Sequence, residues 1–114
     1  MPPAWLFPVV WAVLYALMGI SAYLIYFSDG STDKKRALWI YAAQLAVNFS
    51  WSIVFFKYEK LWAGATVIIL LIVLVMLMIK AFKKISSTAA WLNVPYLLWL
   101  IFAAYLNIAT AVIN

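Results

Sequence analysis

The chain contains no cysteine and no histidine, and only 3 of its 114 residues are acidic. The lack of cysteine excludes disulfides, thiolate metal sites and thiol redox chemistry. The lack of histidine removes the commonest general base and a frequent metal ligand. The polar residues of the apolar stretches have no charged neighbour to activate them. We therefore expect no enzyme, no catalytic residue, no metal site and no required cofactor.

Charged side chains are scarce and apolar ones are abundant. Charged residues make up 10% of the chain and hydrophobic residues 70%. In soluble domains, about a quarter of the residues are charged and about a half are hydrophobic. A soluble chain of this length could not bury so much apolar surface. We expect an integral membrane protein, an all-α helical bundle that forms one domain over residues 1–114. The net charge of +5 fits basic helix ends, so no nucleic-acid partner is expected.

Four uncharged stretches are long enough to cross a hydrocarbon core of about 30 Å as helices. Helices are required because open strand edges would leave backbone groups unpaired in lipid. The predicted transmembrane helices cover residues 5–27, 37–56, 61–79 and 88–112. Pro95 lies inside the last uncharged stretch and predicts a bend or a late helix start.

Basic residues divide unequally between the two ends of these helices. The first and third loops share one end and carry Lys34, Lys35, Arg36, Lys80, Lys83 and Lys84. The second loop shares the other end with both termini and carries Lys57 and Lys60. The positive-inside rule therefore predicts that loops 28–36 and 80–87 are cytoplasmic and that both termini lie outside.

The second predicted span contains polar side chains in the stretch QLAVNFSWSIVFF, residues 44–56. Residues on one stripe of a helix recur every three or four positions. This spacing holds for Tyr41, Gln44, Asn48 and Trp51. Gln44 and Asn48 either cross-link helices by hydrogen bonds or supply directed polar contacts in an aromatic pocket.

The seven tryptophans fall into two groups. Four lie near span ends and fit the aromatic belts of the membrane interface; these are Trp5, Trp39, Trp62 and Trp91. Trp11, Trp51 and Trp99 lie deeper, on stripes that also carry Tyr15, Asn48 and Ala103. Three deep indoles on three helices predict a binding site for a flat aromatic ligand, because indoles stack well and cost little entropy to order.

Three stretches carry a family pattern: PPAWLFPVVWAVLYALMG (2–19), YAAQLAVNFSWSIVFF (41–56) and VPYLLWLIFAAYLN (94–107). Together they resemble the TspO/MBR family of tryptophan-rich sensory and translocator proteins, in family order and spacing. The family fold has five spans, and this sequence starts close to the second of them. The resemblance therefore implies that the four spans match family helices 2–5 and that the first helix is absent.

The resemblance implies a ligand-binding bundle, usually a homodimer, in this case in a bacterial cell membrane. Its ligand would be a tetrapyrrole such as protoporphyrin IX or heme, or another planar hydrophobic molecule. The ligand-binding positions that it implies are Trp11, Tyr15, Gln44, Asn48, Trp51, Trp99 and Ala103. The family's sterol motif needs a basic residue soon after a tyrosine, and none follows Tyr105, so sterol specificity is not expected.

Three alternatives to a receptor, sensor or translocator stay open. Light-dependent porphyrin degradation, reported for some relatives, would need only a photosensitising ligand and oxidisable indoles. A small multidrug exporter would need a carboxylate inside the membrane, but Asp29, Asp33 and Glu59 all fall in predicted loops. The third alternative is a purely structural helical partner.

Overall fold

The computed structural model describes residues 5–28, 32–58 and 60–113. Its helices are α1 (Leu6–Tyr26), α2 (Thr32–Ser52), α3 (Leu61–Lys83), α4 (Ser87–Leu92) and α5 (Val94–Ile113), and a π-helical turn, Ile53–Lys57, continues α2. No strand occurs in the described residues. The predicted all-α fold is confirmed.

Two helices continue beyond the predicted spans at the charged end of the bundle. α2 begins at Thr32 rather than at residue 37, with Asp33 in its first turn. α3 runs to Lys83 rather than to residue 79, with Lys80 and Lys83 in its last turn. The helix dipole favours Asp33 and the two lysines at these positions, but it disfavours Lys34, Lys35 and Arg36 in the first turns of α2. The uncharged stretch therefore marks the part that fits in hydrocarbon, and the helix itself is longer.

The last predicted span is two helices separated at Asn93. Ser86 caps α4, because its side-chain oxygen accepts a hydrogen bond from the Ala89 backbone N–H at 3.2 Å. Asn93 ends α4 with φ −96° and ψ −2°, and α5 restarts at Val94. Pro95 thus lies in the first turn of α5, where its missing N–H is tolerated. The break predicted from Pro95 is confirmed.

α3 is the central packing helix of the bundle. It has close backbone contacts with α2, α5 and α4, whereas α1 packs against α4 and, less extensively, α2. Its buried residues are Gly64, Ala65, Ile68, Leu71, Val75, Met78 and Phe82. From Ala65 onward they recur every three or four positions and form one stripe, which Gly64 adjoins. Gly64 and Ala65 carry little or no side chain, and small residues let helices approach closely in membranes.

Within the described residues, three segments are long and apolar enough to cross a membrane: Pro8–Tyr26, Leu61–Lys83 and Ser87–Ile113. α2 is as long as α1, but it begins with the charged residues 33–36 and contains Gln44 and Asn48, which lower its hydropathy. It nevertheless packs extensively against α3. That α2 also crosses the membrane therefore stays a prediction.

The two groups of tryptophans that the sequence predicts occupy different environments. Trp5, Trp39, Trp62 and Trp91 are all exposed on the outside of the bundle. Trp51 is 3% exposed, and Trp11 and Trp99 are partly buried against the core. The division into outer and inner tryptophans is confirmed, and the place of the outer four in the membrane interface stays a prediction.

Candidate functional site

The polar stripe of α2 faces the interior of the bundle. Gln44 and Asn48 are 0% and 1% exposed. An amide that is buried away from water and lipid headgroups must find a hydrogen-bond partner, because an unpaired one costs several kcal/mol. The surrounding helices therefore have to supply those partners.

The hydroxyl of Tyr96 on α5 supplies a partner to both amides. It accepts a hydrogen bond from Asn48 Nδ2 at 2.7 Å and donates one to Gln44 Oε1 at 2.8 Å. On the α1 side, the Tyr15 hydroxyl donates to Asn48 Oδ1 at 3.4 Å, and Gln44 Nε2 donates to the sulfur of Met18 at 3.7 Å. These five side chains form one polar network that joins α1, α2 and α5.

Four rings lie against this network and form an aromatic cluster: Trp11, Tyr15, Tyr96 and Trp99. Trp11 is at its centre. It stacks on Tyr15 with ring centroids 5.5 Å apart and meets Tyr96 and Trp99 edge-on at 6.4 and 6.2 Å. Centroid separations of about 4.5–7 Å are those of attractive aromatic pairs, each of which adds about 0.5–1.5 kcal/mol beyond burial.

The aromatic cluster occupies a region where helix backbones stay apart. In the described residues, α1 and α2 make few or no close backbone contacts with α5, and α5 packs mainly on α3. Side chains of the cluster and the network therefore bridge the space between α1, α2 and α5. Tyr15 is 46% exposed, and Trp11 and Trp99 are only partly buried. The cluster is thus accessible from one side.

The geometry also limits how a flat molecule can bind. Two parallel rings that sandwich a third must be about 7 Å apart, because aromatic faces and other carbon atoms pack at about 3.5–4.0 Å. The Trp11–Tyr15 centroids are 5.5 Å apart, so no ring fits between them as they stand. A flat ligand must stack on the accessible outer faces or move a partly exposed side chain.

Trp51 belongs to a second polar link, one turn further along α2. Its indole N–H donates to Asn107 Oδ1 at 3.2 Å, and Asn107 Nδ2 donates to the Leu61 carbonyl at 2.7 Å. This link joins α2, α5 and the start of α3. Ala103 lies between Trp99 and Asn107 on the same side of α5 and is partly buried against the core.

Five of the seven predicted site residues are thus brought together, namely Trp11, Tyr15, Gln44, Asn48 and Trp99. Trp51 and Ala103 lie one turn away, on the same stripes of α2 and α5. Tyr96 is not among the predicted site residues, although it precedes Trp99 by three positions and so shares its stripe. The link between Asn93 Nδ2 and Ser21 Oγ at 2.9 Å was not predicted either; both residues are polar positions within predicted spans.

Fold and site together define a helical membrane bundle with tryptophans and hydrogen-bonded amides in its interior. A family model described as the TspO/MBR family matches residues 1–113. The chain belongs to the TspO/MBR family.

Three relatives illustrate the range of the family. The chain is 36% identical to "Tryptophan-rich protein TspO" of Chlorobaculum tepidum, over 99% of this chain and 72% of the relative. It is 36% identical to "Tryptophan-rich sensory protein" of Cereibacter sphaeroides, over 99% and 70%. It is also 36% identical to "Translocator protein" of Ovis aries, over 93% and 64%.

Tyr96→Phe tests the polar network, because it removes one hydroxyl and keeps the ring. We expect it to lower the free energy of unfolding by about 1–2 kcal/mol, since two buried amides lose a partner. Tyr105→Phe is the matched control, because Tyr105 is on the same helix and 69% exposed. Unfolding in mixed micelles by titration with a denaturing detergent measures both. Equal losses in the two variants would contradict the network's role.

Proposed function

We propose that this protein is a membrane receptor, sensor or translocator for a planar hydrophobic ligand, and that the ligand is a tetrapyrrole such as protoporphyrin IX or heme. The observation that carries the proposal is the accessible aromatic cluster lying against a buried polar network. Ligand sites are typically apolar and aromatic, with a few placed polar groups. Family membership supports the proposal, because relatives are named as sensory and translocator proteins.

In this proposal, the macrocycle stacks on the accessible faces of the aromatic cluster. Gln44 and Asn48 are almost fully buried and already bonded to Tyr96, so their role is to hold the rings in place. Tyr15, which is 46% exposed, is the polar group of the network that reaches the ligand edge. Binding of this kind needs no catalytic residue, and we propose binding without catalysis.

Trp11→Leu tests the aromatic cluster as the ligand site. We expect protoporphyrin IX to bind at least about tenfold more weakly, since the central ring of the cluster is lost and aromatic contacts of about 0.5–1.5 kcal/mol each disappear. Absorbance of the porphyrin itself is the readout, because it does not depend on the number of tryptophans left.

Trp39→Leu is the matched control for this experiment. Trp39 is 70% exposed and lies near the charged end of α2, away from the cluster. Its loss should change the affinity less than twofold. If both variants bind equally weakly, the porphyrin partitions to the bilayer surface and the aromatic cluster is not its site.

We further propose that the protein forms a homodimer through α1. Ala12 and Ala16 are exposed on one side of that helix. A side-chain carbon placed on Gly19 would meet nothing within 4 Å. Small residues at such spacing let a second helix approach closely in lipid.

Ala16→Leu should therefore lower the dimer fraction, because the added bulk separates the two α1 helices. Ala63→Leu, at an exposed small residue of α3, is the control and should leave the fraction unchanged. Counting photobleaching steps of a singly labelled protein in liposomes, over a range of lipid-to-protein ratios, measures the dimer fraction. A dimer fraction that is insensitive to Ala16→Leu rejects the α1 interface.

We also propose that the end with most basic residues faces the cytoplasm of a bacterial cell, with both termini outside. The chain has no cysteine, so one introduced thiol can be labelled alone. Lys57→Cys should react with a membrane-impermeant maleimide in intact cells, and Ser87→Cys only after permeabilisation. The reverse pattern would overturn this orientation.

A further inference from the structure

A cleft opens between α2 and α3 at the charged end of the bundle, away from the aromatic cluster. It has a volume of about 150 Å³. Four charged side chains line it: Asp33 and Arg36 from α2, Lys80 from α3, and Lys84 directly after the end of α3. The spacing within each pair is three or four residues, so both members lie on the side that faces the other helix.

The cleft carries an uncompensated positive charge. Three cations face one carboxylate, which leaves two net positive charges. Among residues 5–28, 32–58 and 60–113, no acidic side chain forms an ion pair with Arg36, Lys80 or Lys84. Like charges held at a shared cleft repel one another, so a bound anion would relieve that repulsion.

The bottom of the same cleft is apolar. Ile40 follows Arg36 by one turn of α2, and Leu77 precedes Lys80 by about one turn of α3, and both line the cleft. Both residues lie further from the charged end of the bundle than the cations do, towards its apolar part. Trp39, beside Ile40, is 70% exposed, and an exposed tryptophan at the end of a span fits the depth of lipid headgroups.

We propose that this cleft binds an anionic phospholipid from the adjacent leaflet. The phosphate lies between Arg36, Lys80 and Lys84, where the guanidinium can donate two parallel hydrogen bonds and the ammonium groups act as point charges. The first part of an acyl chain lies over Ile40 and Leu77. A basic pocket between transmembrane helices, open to the membrane surface, is the arrangement that selects such headgroups. The proposal does not depend on the tetrapyrrole site.

The test compares two triple variants of the full chain that remove the same charge from the same end. The cleft variant is Arg36→Gln, Lys80→Gln, Lys84→Gln. The control variant is Lys34→Gln, Lys35→Gln, Lys83→Gln, none of which lines this cleft; Lys34 instead lies over the Tyr26 ring. Native mass spectrometry from mixed micelles measures how much phosphatidylglycerol and how much phosphatidylcholine each protein retains.

The expected result is that the wild type and the control variant retain more phosphatidylglycerol than phosphatidylcholine. The cleft variant should lose at least about nine-tenths of that preference. Equal losses in the two triple variants would overturn the proposal, because a diffuse surface charge would then explain retention. Displacement of the lipid by an equal concentration of inorganic phosphate would also overturn it, because the site would then be one for free anions. Circular dichroism of both variants confirms that each is folded.

Discussion

The hydroxyl of Tyr96, held between two buried amides, is the interaction on which the arrangement of the helices depends. In lipid, apolar packing alone discriminates poorly between rotations of a helix about its axis, because lipid tails are as apolar as leucine. Gln44 and Asn48 remove that freedom from α2, since they would be left unpaired on any other face. Tyr96 then fixes α5 relative to α2, and Tyr15 fixes α1.

The bundle combines two kinds of interior. Around α3, small and branched residues bring helix backbones close together, which favours a rigid core. Between α1, α2 and α5, large rings and amides fill a wider space, and contacts there are between side chains. Tyr15 is 46% exposed and the indoles of Trp11 and Trp99 are partly buried, so these rings are less enclosed than the buried side chains of α3. The region proposed to bind a ligand is therefore the more open part of the interior.

Much of this could be predicted from the sequence, because hydropathy and three-to-four spacing are local properties. They predict the helical segments, the break near Pro95, the inward stripe of α2 and the separation of deep from exposed tryptophans. The spacing gives the face that a residue occupies, but not its height relative to residues on other helices. For that reason Trp51 was grouped with Trp11, whereas its indole bonds to Asn107. For the same reason Tyr96 was missed as the residue that pairs with both amides.

The break at Asn93 has a consequence for the stiffness of the last span. Pro95 has no N–H to donate to the preceding turn, so the backbone ladder that would keep α4 and α5 collinear is interrupted. Asn93 Nδ2 donates both to the Ala89 carbonyl of α4 and to Ser21 Oγ of α1. The break is therefore tied to α1 by a side chain as well as to its own span by the backbone. The junction that precedes Tyr96 and Trp99 is thus anchored on the helix that carries Trp11 and Tyr15.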